Sequence, residues 1–187
     1  MCDLLEVLGA IMSGLNEPLK EEYRLFLTSV LIPLHKPKRM GMYNEQLTSC
    51  ITKFLNKDRE LAEPVIRGLL RYWPEKSCQR ELFFLQEVEE ILMFTQHVEF
   101  SRWVQQLARR LQKCLSSSSY LVAVRALMLW ENQSFVRLFS ESKREIVRIL
   151  SPVVDQTANC HWHVAVKNLS MNLRNIFVVL GDEDLRI

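Results

Sequence analysis

The strongest constraint in this chain is the spacing of its helix ends. Apolar residues recur at helical period nearly throughout, and proline, glycine or polar turns interrupt them at regular distances. Second helices of successive pairs are expected to end near Ile32, Trp73, Leu115, Phe139 and Leu180, at intervals of 41, 42, 24 and 41 residues. With only five glycines and six prolines, long loops and glycine-lined cofactor clefts are scarce. Short runs such as Val122-Ala-Val124 lack hairpin signals and sit inside helical periodicity.

Three intervals near 41 residues match the helix-pair length of HEAT-like or armadillo-like arrays. The expected fold is therefore all-α, a helical repeat solenoid of about five helix pairs in one domain. The approximate pairs are 2–32, 43–73, 79–115, 118–139 and 143–180. A compact helical bundle is the alternative, but ten short helical segments fit a single bundle less naturally.

Along the chain, Leu4, Leu5, Leu8 and Ile11 are expected to share the inner face of a first helix ending at Gly14. Pro18 suits the first turn of a second, with Leu25, Leu27, Val30 and Leu31 as its apolar side. Lys36 to Gly41 reads as a basic loop. Leu47, Ile51, Phe54, Leu55, Val65, Ile66, Leu69, Leu70 and Trp73 form the next two core stripes. In Gln79–Phe94, Leu82, Leu85, Val88, Ile91 and Leu92 face inward, while Glu81, Glu87, Glu89 and Glu90 face solvent. Phe100 to Cys114, Leu121 to Met128, Gln133 to Phe139, a helix from Ser142 that Pro152 bends, and a last helix ending at Gly181 complete the series.

Apolar residues make up 48% and charged residues 25%, an ordinary globular balance. The formal net charge of +2 gives no nucleic-acid surface, and no run is long enough to span a membrane. Five cysteines, the nearest two 28 residues apart, form neither zinc-ligand spacing nor a fully paired disulfide set. Reduced cysteines fit the cytoplasm or nucleus. Catalytic glycine loops, zincin motifs and nucleophile elbows are absent, so no cofactor, metal or enzymatic activity is expected. His161 and His163 flank Trp162 two residues apart and point away from each other on a helix, so a packing role for Trp162 is expected. His35, Lys36, Lys38 and Arg39 form the densest basic patch, which could receive a phosphate, a carboxylate or an acidic segment, or be a plain solvent-facing loop. Lys20 and Arg24, beside Tyr23, could rim an apolar slot made by Val7 and Ile11, fit for an acidic peptide.

Several long motifs closely resemble one family. Leu31-Ile-Pro-Leu-His-Lys-Pro-Lys38, Glu63-Pro-Val-Ile-Arg-Gly-Leu-Leu-Arg-Tyr-Trp-Pro74 and Phe84-Leu-Gln-Glu-Val-Glu-Glu-Ile-Leu92 are similar to the B56 (B-prime) regulatory subunits of protein phosphatase 2A. Leu111-Gln-Lys-Cys-Leu-Ser-Ser117 and Val122-Ala-Val-Arg-Ala-Leu-Met-Leu129, followed by Trp130, look like the same family. The resemblance implies a HEAT-like solenoid that is not catalytic. Such a protein joins phosphatase catalytic and scaffold subunits and selects substrates bearing a Leu-x-x-Ile-x-Glu motif. Val7 and Ile11 match the residues lining the motif isoleucine's pocket, Glu6 one beside the peptide backbone, and Lys20 one meeting the motif carboxylate. Tyr23 stands where the family usually has histidine; its hydroxyl can donate a hydrogen bond but cannot become cationic. Family members carry further repeats before the point matching Met1, so the chain resembles an N-terminally truncated member. The first helix is then expected to expose apolar surface, with homodimerisation through that end as a consequence.

Overall fold

The structure is a computed structural model that describes residues 1–183. Ten α-helices and no strand occur among the described residues. The chain divides into two compact units, the first covering Met1–Thr95 and the second beginning at Gln96.

In the first unit, α1 (Cys2–Ser13) packs on α3 (Asn44–Lys57). Between them in the chain comes α2 (Glu21–Phe26), which widens into a π-helical turn at Leu27–Leu31 and then tightens into a 3-10 turn at Ile32–His35. A 3-10 turn at Arg59–Leu61 leads into α4 (Ala62–Arg71), and α5 (Cys78–Leu92) packs on both α3 and α4. Pro64 is tolerated because it falls in the first turn of α4, where its missing N–H has no helical partner to lose. Gly68 is required for packing. A Cβ there would lie 2.2 Å from Ile32 Cγ2, so only glycine lets α4 seat against the 3-10 turn. Leu27, Leu31, Leu47, Phe54, Val65 and Phe84 are fully buried in this core. Burying each such side chain contributes roughly 1.5–3 kcal/mol.

In the second unit, the order is α6 (His97–Leu115), α7 (Tyr120–Met128), α8 (Gln133–Glu141), α9 (Lys143–Cys160) and α10 (Val164–Glu183). Helix α9 packs on α6 and α10, and α7 packs on α6 and α10. The side chain of Asn132 caps α8 by accepting from the N–H groups of Ser134 and Phe135. The aromatic rings of Trp130, Phe135, Phe139 and Phe177 meet mostly edge to face. Between α9 and α10, Thr157 and Ser170 share a buried hydroxyl–hydroxyl bond of 2.8 Å.

Several local expectations need correction. Leu5, Gly9 and Met12 form the buried face of α1, while Leu4 and Ile11 are exposed. Contact with α3 selects an arc centred on Leu5 and Met12. Pro18 lies before α2, not in its first turn, and Glu17–Pro18 is a cis peptide. Leu25 and Val30 are exposed, leaving Leu27 and Leu31 as the inner pair. In α7 the buried face is Val122, Ala123, Ala126 and Leu127, because flanking helices on two sides admit small residues; Leu121 and Met128 turn outward. Trp162 is 68% exposed instead of packed inside, touching Tyr120 edge to face. Helix α10 continues past Gly181 to Glu183, and Asp184 lies outside the described residues.

Candidate functional site

The outer face of α1 carries Leu4, Val7 and Ile11 at helical spacing, and Val7 and Ile11 are 57% and 53% exposed. The inner face determines this placement. With Leu5 and Met12 buried against α3, residues at positions 4, 7 and 11 must point away from it. Glu6 is exposed on a different side of the helix, and its Oε1 accepts from Gln46 Nε2 at 3.5 Å. Gly9 lets the Lys53 side chain cross close over α1; a Cβ at Gly9 would lie 2.9 Å from Lys53 Nζ.

Lys20 is the residue just before α2, with an extended backbone (φ −67°, ψ 151°), and its side chain is exposed. Tyr23 sits half-buried in the first turn of α2. The structure thus brings Val7 and Ile11 together on one helix face, and Lys20 and Tyr23 together at one helix start. No hydrogen bond among the described residues links the two sets. Arg24 is drawn away from this rim. Its guanidinium pairs with Asp58 at 2.6 Å and with Glu60 at 3.4 Å.

Sequence reasoning missed a buried polar network behind these elements. The pattern puts His35 on a solvent-facing loop and Glu87 on a solvated helix face; they are 0% and 1% exposed and 3.0 Å apart. The hydrogen bonds constrain where the protons sit. His35 Nδ1 lies 2.8 Å from the Ile32 carbonyl, which can only accept, and Nε2 faces the Glu87 carboxylate. Nδ1 must therefore donate, and Nε2 shares the second proton with the Glu87 carboxyl; with that proton on Nε2 the two form an imidazolium–carboxylate pair. Burial pushes the His35 pKa down, but the charge and hydrogen bond of Glu87 and the Ile32 carbonyl outweigh it, so the net shift is upward. Arg80 on α5 donates to the His35 carbonyl at 2.9 Å and weakly opposes that shift. Glu81, also expected to face solvent, is buried and accepts from Trp73 Nε1 at 3.1 Å. Phe84 meets both His35 and Trp73 edge to face. One signal was available: Glu87 stands three residues after Phe84 and four before Ile91, in step with the inner face of α5.

Burial pushes the Cys50 thiol up to about 11, against a smaller opposing pull from Lys53, which suppresses the reactive thiolate. The His163 N–H donates to His161 Nδ1 at 3.0 Å, and His163 stacks on Tyr120. No group of three metal-ligating side chains occurs among the described residues. No described helix is long and apolar enough to cross a membrane.

Comparison with known proteins agrees with the motifs. Residues 1–183 match the family model for the protein phosphatase 2A regulatory B subunit (B56 family). Among plant relatives is the B' beta isoform of the 57 kDa regulatory subunit of serine/threonine protein phosphatase 2A from Arabidopsis thaliana. The chain is 45% identical to it over 181 residues, covering 97% of this chain and 36% of that relative. It is 47% identical over 182 residues to the 55 kDa B' delta isoform of the same plant, covering 97% of this chain and 38% of the relative. Against the 57 kDa B' kappa isoform of Oryza sativa subsp. japonica, identity is 44% over 182 residues, covering 97% and 36%. The chain therefore spans little more than a third of the length of these relatives. With the helical fold, the quoted motifs and a match across all described residues in agreement, the chain belongs to the B56 family of protein phosphatase 2A regulatory B subunits.

Proposed function

We propose that this chain acts as a regulatory or adaptor element of protein phosphatase 2A, binding partners and selecting substrates without itself catalysing a reaction. The carrying observation is the family match over residues 1–183, joined to relatives named as regulatory subunits. Its partners are then the phosphatase catalytic and scaffold subunits. Co-purification of the chain with both tests this, and no association at micromolar protein refutes it.

The peptide-binding part of the proposal rests on α1 and the start of α2. Exposed Val7 and Ile11 offer an aliphatic face for the isoleucine of an acidic Leu-x-x-Ile-x-Glu peptide, with Glu6 alongside the peptide backbone. Lys20 supplies a cation for the peptide carboxylate, and Tyr23 supplies a neutral donor. Titrating such a peptide against the parent and Lys20→Ala tests the assignment; equal affinities remove Lys20 from the site. A second reading is an interaction protein that does not assemble the full holoenzyme. Binding to the catalytic subunit alone, unaided by the scaffold, would support that reading over the first.

A further inference from the structure

A cleft of about 690 Å³ runs between α3 and α5 in the first unit. Val7, Ile11, Lys20 and Tyr23 do not line it. Its α3 wall carries Asn44, Thr48, Thr52 and Asn56, which are spaced every fourth residue and so share one helix face. Gln86 and Glu90 of α5 stand opposite, with Phe83 closing one end. Gly41 admits that ring, since a Cβ there would lie 3.1 Å from it.

Two of these polar groups are unusual. Asn44 and Thr48 are only 8% and 7% exposed, yet Asn44 Oδ1 and Thr48 Oγ1 have no hydrogen-bond partner. Nearly all buried polar atoms in folded proteins are satisfied, so two adjacent orphans lining one cleft point to a partner supplied by an occupant. Thr52, further along, already reaches Glu90 at 3.5 Å.

The spacing identifies the occupant's class. Four residues of α-helix rise about 6 Å. Two residues of extended peptide rise about 6.6 Å, presenting one peptide unit to the same side each time. An asparagine amide and a threonine hydroxyl each both donate and accept, which complements the one donor and one acceptor of a peptide unit. From Asn44 to Asn56 the stripe covers roughly 18 Å, the length of about five to six extended residues. The charged residues at the cleft, Glu45, Lys53 and Glu90, are of mixed sign and select for neither a polyanion nor a polycation.

We propose that the α3–α5 cleft binds an extended peptide segment through its main chain, with Asn44 and Thr48 as the anchoring hydrogen-bond groups. Recognition there is of backbone, and Phe83 adds an apolar platform for one side chain.

The test is a nuclear magnetic resonance titration of the whole chain with the capped neutral peptide acetyl-Ser-Val-Ser-Ala-Ser-Val-amide. Two further versions carry N-methyl groups on odd or on even residues. The expected result is perturbation centred on Asn44 and Thr48, with only one methylation pattern tolerated, because only one edge of the peptide faces the stripe. Thr48→Val should weaken binding about three- to tenfold. The same variant should leave the melting temperature of the free chain unchanged or raised, since its hydroxyl has no partner to lose there. A purely structural threonine would instead lower the melting temperature and leave the titration alone. That outcome, equal binding of both methylated peptides, or perturbation of Thr48 by maltotriose but not by peptide, overturns the proposal.

Discussion

Replacing Glu87 with glutamine should reverse the pH dependence that His35 gives to stability. In the parent, the His35 pKa is raised in the folded state above its ordinary 6.5. The folded protein therefore holds its proton more tightly than the unfolded chain. The resulting stabilisation is fully present below about pH 6.5 and is lost as pH rises through the folded pKa. In Glu87→Gln the carboxylate's charge is gone, while burial and Arg80 still disfavour the cation and only the Ile32 carbonyl favours it. The folded pKa then falls below the ordinary value, and stability declines as pH drops instead. Neutral His35 can still donate from Nδ1 to Ile32 and accept at Nε2 from the new amide, so a hydrogen bond survives the change. With both groups essentially unexposed there is no solvent to screen the lost charge. The cost near pH 6 should be about 1.5–3 kcal/mol, below the roughly 3–5 kcal/mol for stripping a buried partner outright. Urea unfolding of both proteins from about pH 5.5 to about pH 8.5, followed by tryptophan fluorescence, measures both magnitude and slope. Parallel pH profiles for parent and variant would refute the imidazolium assignment.

Gly68→Ala should lower the urea midpoint by the equivalent of about 1–3 kcal/mol, because the new Cβ meets Ile32 at 2.2 Å. A gain, as helix propensity alone would give, would refute that contact. Trp73→Phe trades the indole for a smaller ring and removes the donor to buried Glu81, and should cost at least about 1–3 kcal/mol in the same assay. Asn132→Ala removes two capping bonds from α8 and should cost about 1 kcal/mol by thermal melting, with Asn132→Ser restoring most of it. Tyr23→His should make acidic-peptide affinity rise below about pH 6.5, whereas the parent should show no such rise, as isothermal titration at two pH values would reveal.

The helical class was legible because apolar periodicity is dictated by core burial, and Leu47, Ile51, Phe54, Val65, Ile66 and Leu69 all lie where the pattern puts them. Faces were misjudged where a helix had a surplus of apolar residues. In α1, Leu4 and Ile11 compete with Leu5 and Met12 for the inner arc, and only the position of α3 decides between them. Buried charges were misjudged for a different reason. Glu87 and His35 are 52 residues apart, and each looks solvent-bound until the other is placed beside it. Of the candidate site, the shared face of Val7 and Ile11 follows from helical spacing alone. Arg24's diversion to Asp58 and Glu60 depends on contacts 34 and 36 residues away in the chain, which periodicity does not encode. Asn44, Thr48, Thr52 and Asn56 were visible as a four-residue repeat, but only burial distinguishes a lined cleft from a solvated stripe.

The coil from Glu21 to His35 changes winding twice, and the wide turn at Leu27–Leu31 acts as a phase adjuster. One α-helical residue corresponds to about 100° of rotation, and a π-turn absorbs roughly one residue more than an α-turn. The 3-10 turn that follows overwinds by about 20° per residue, so over Ile32–His35 it takes back most of that offset. The two changes of winding nearly cancel, and Leu27, Leu31 and His35, four residues apart, are all buried, with His35 meeting Glu87. A one-residue deletion within Leu27–Leu31 would restore regular winding and look harmless by helix propensity. It would also swing His35 away from its carboxylate, so length in this segment is a dial on azimuth more than on reach.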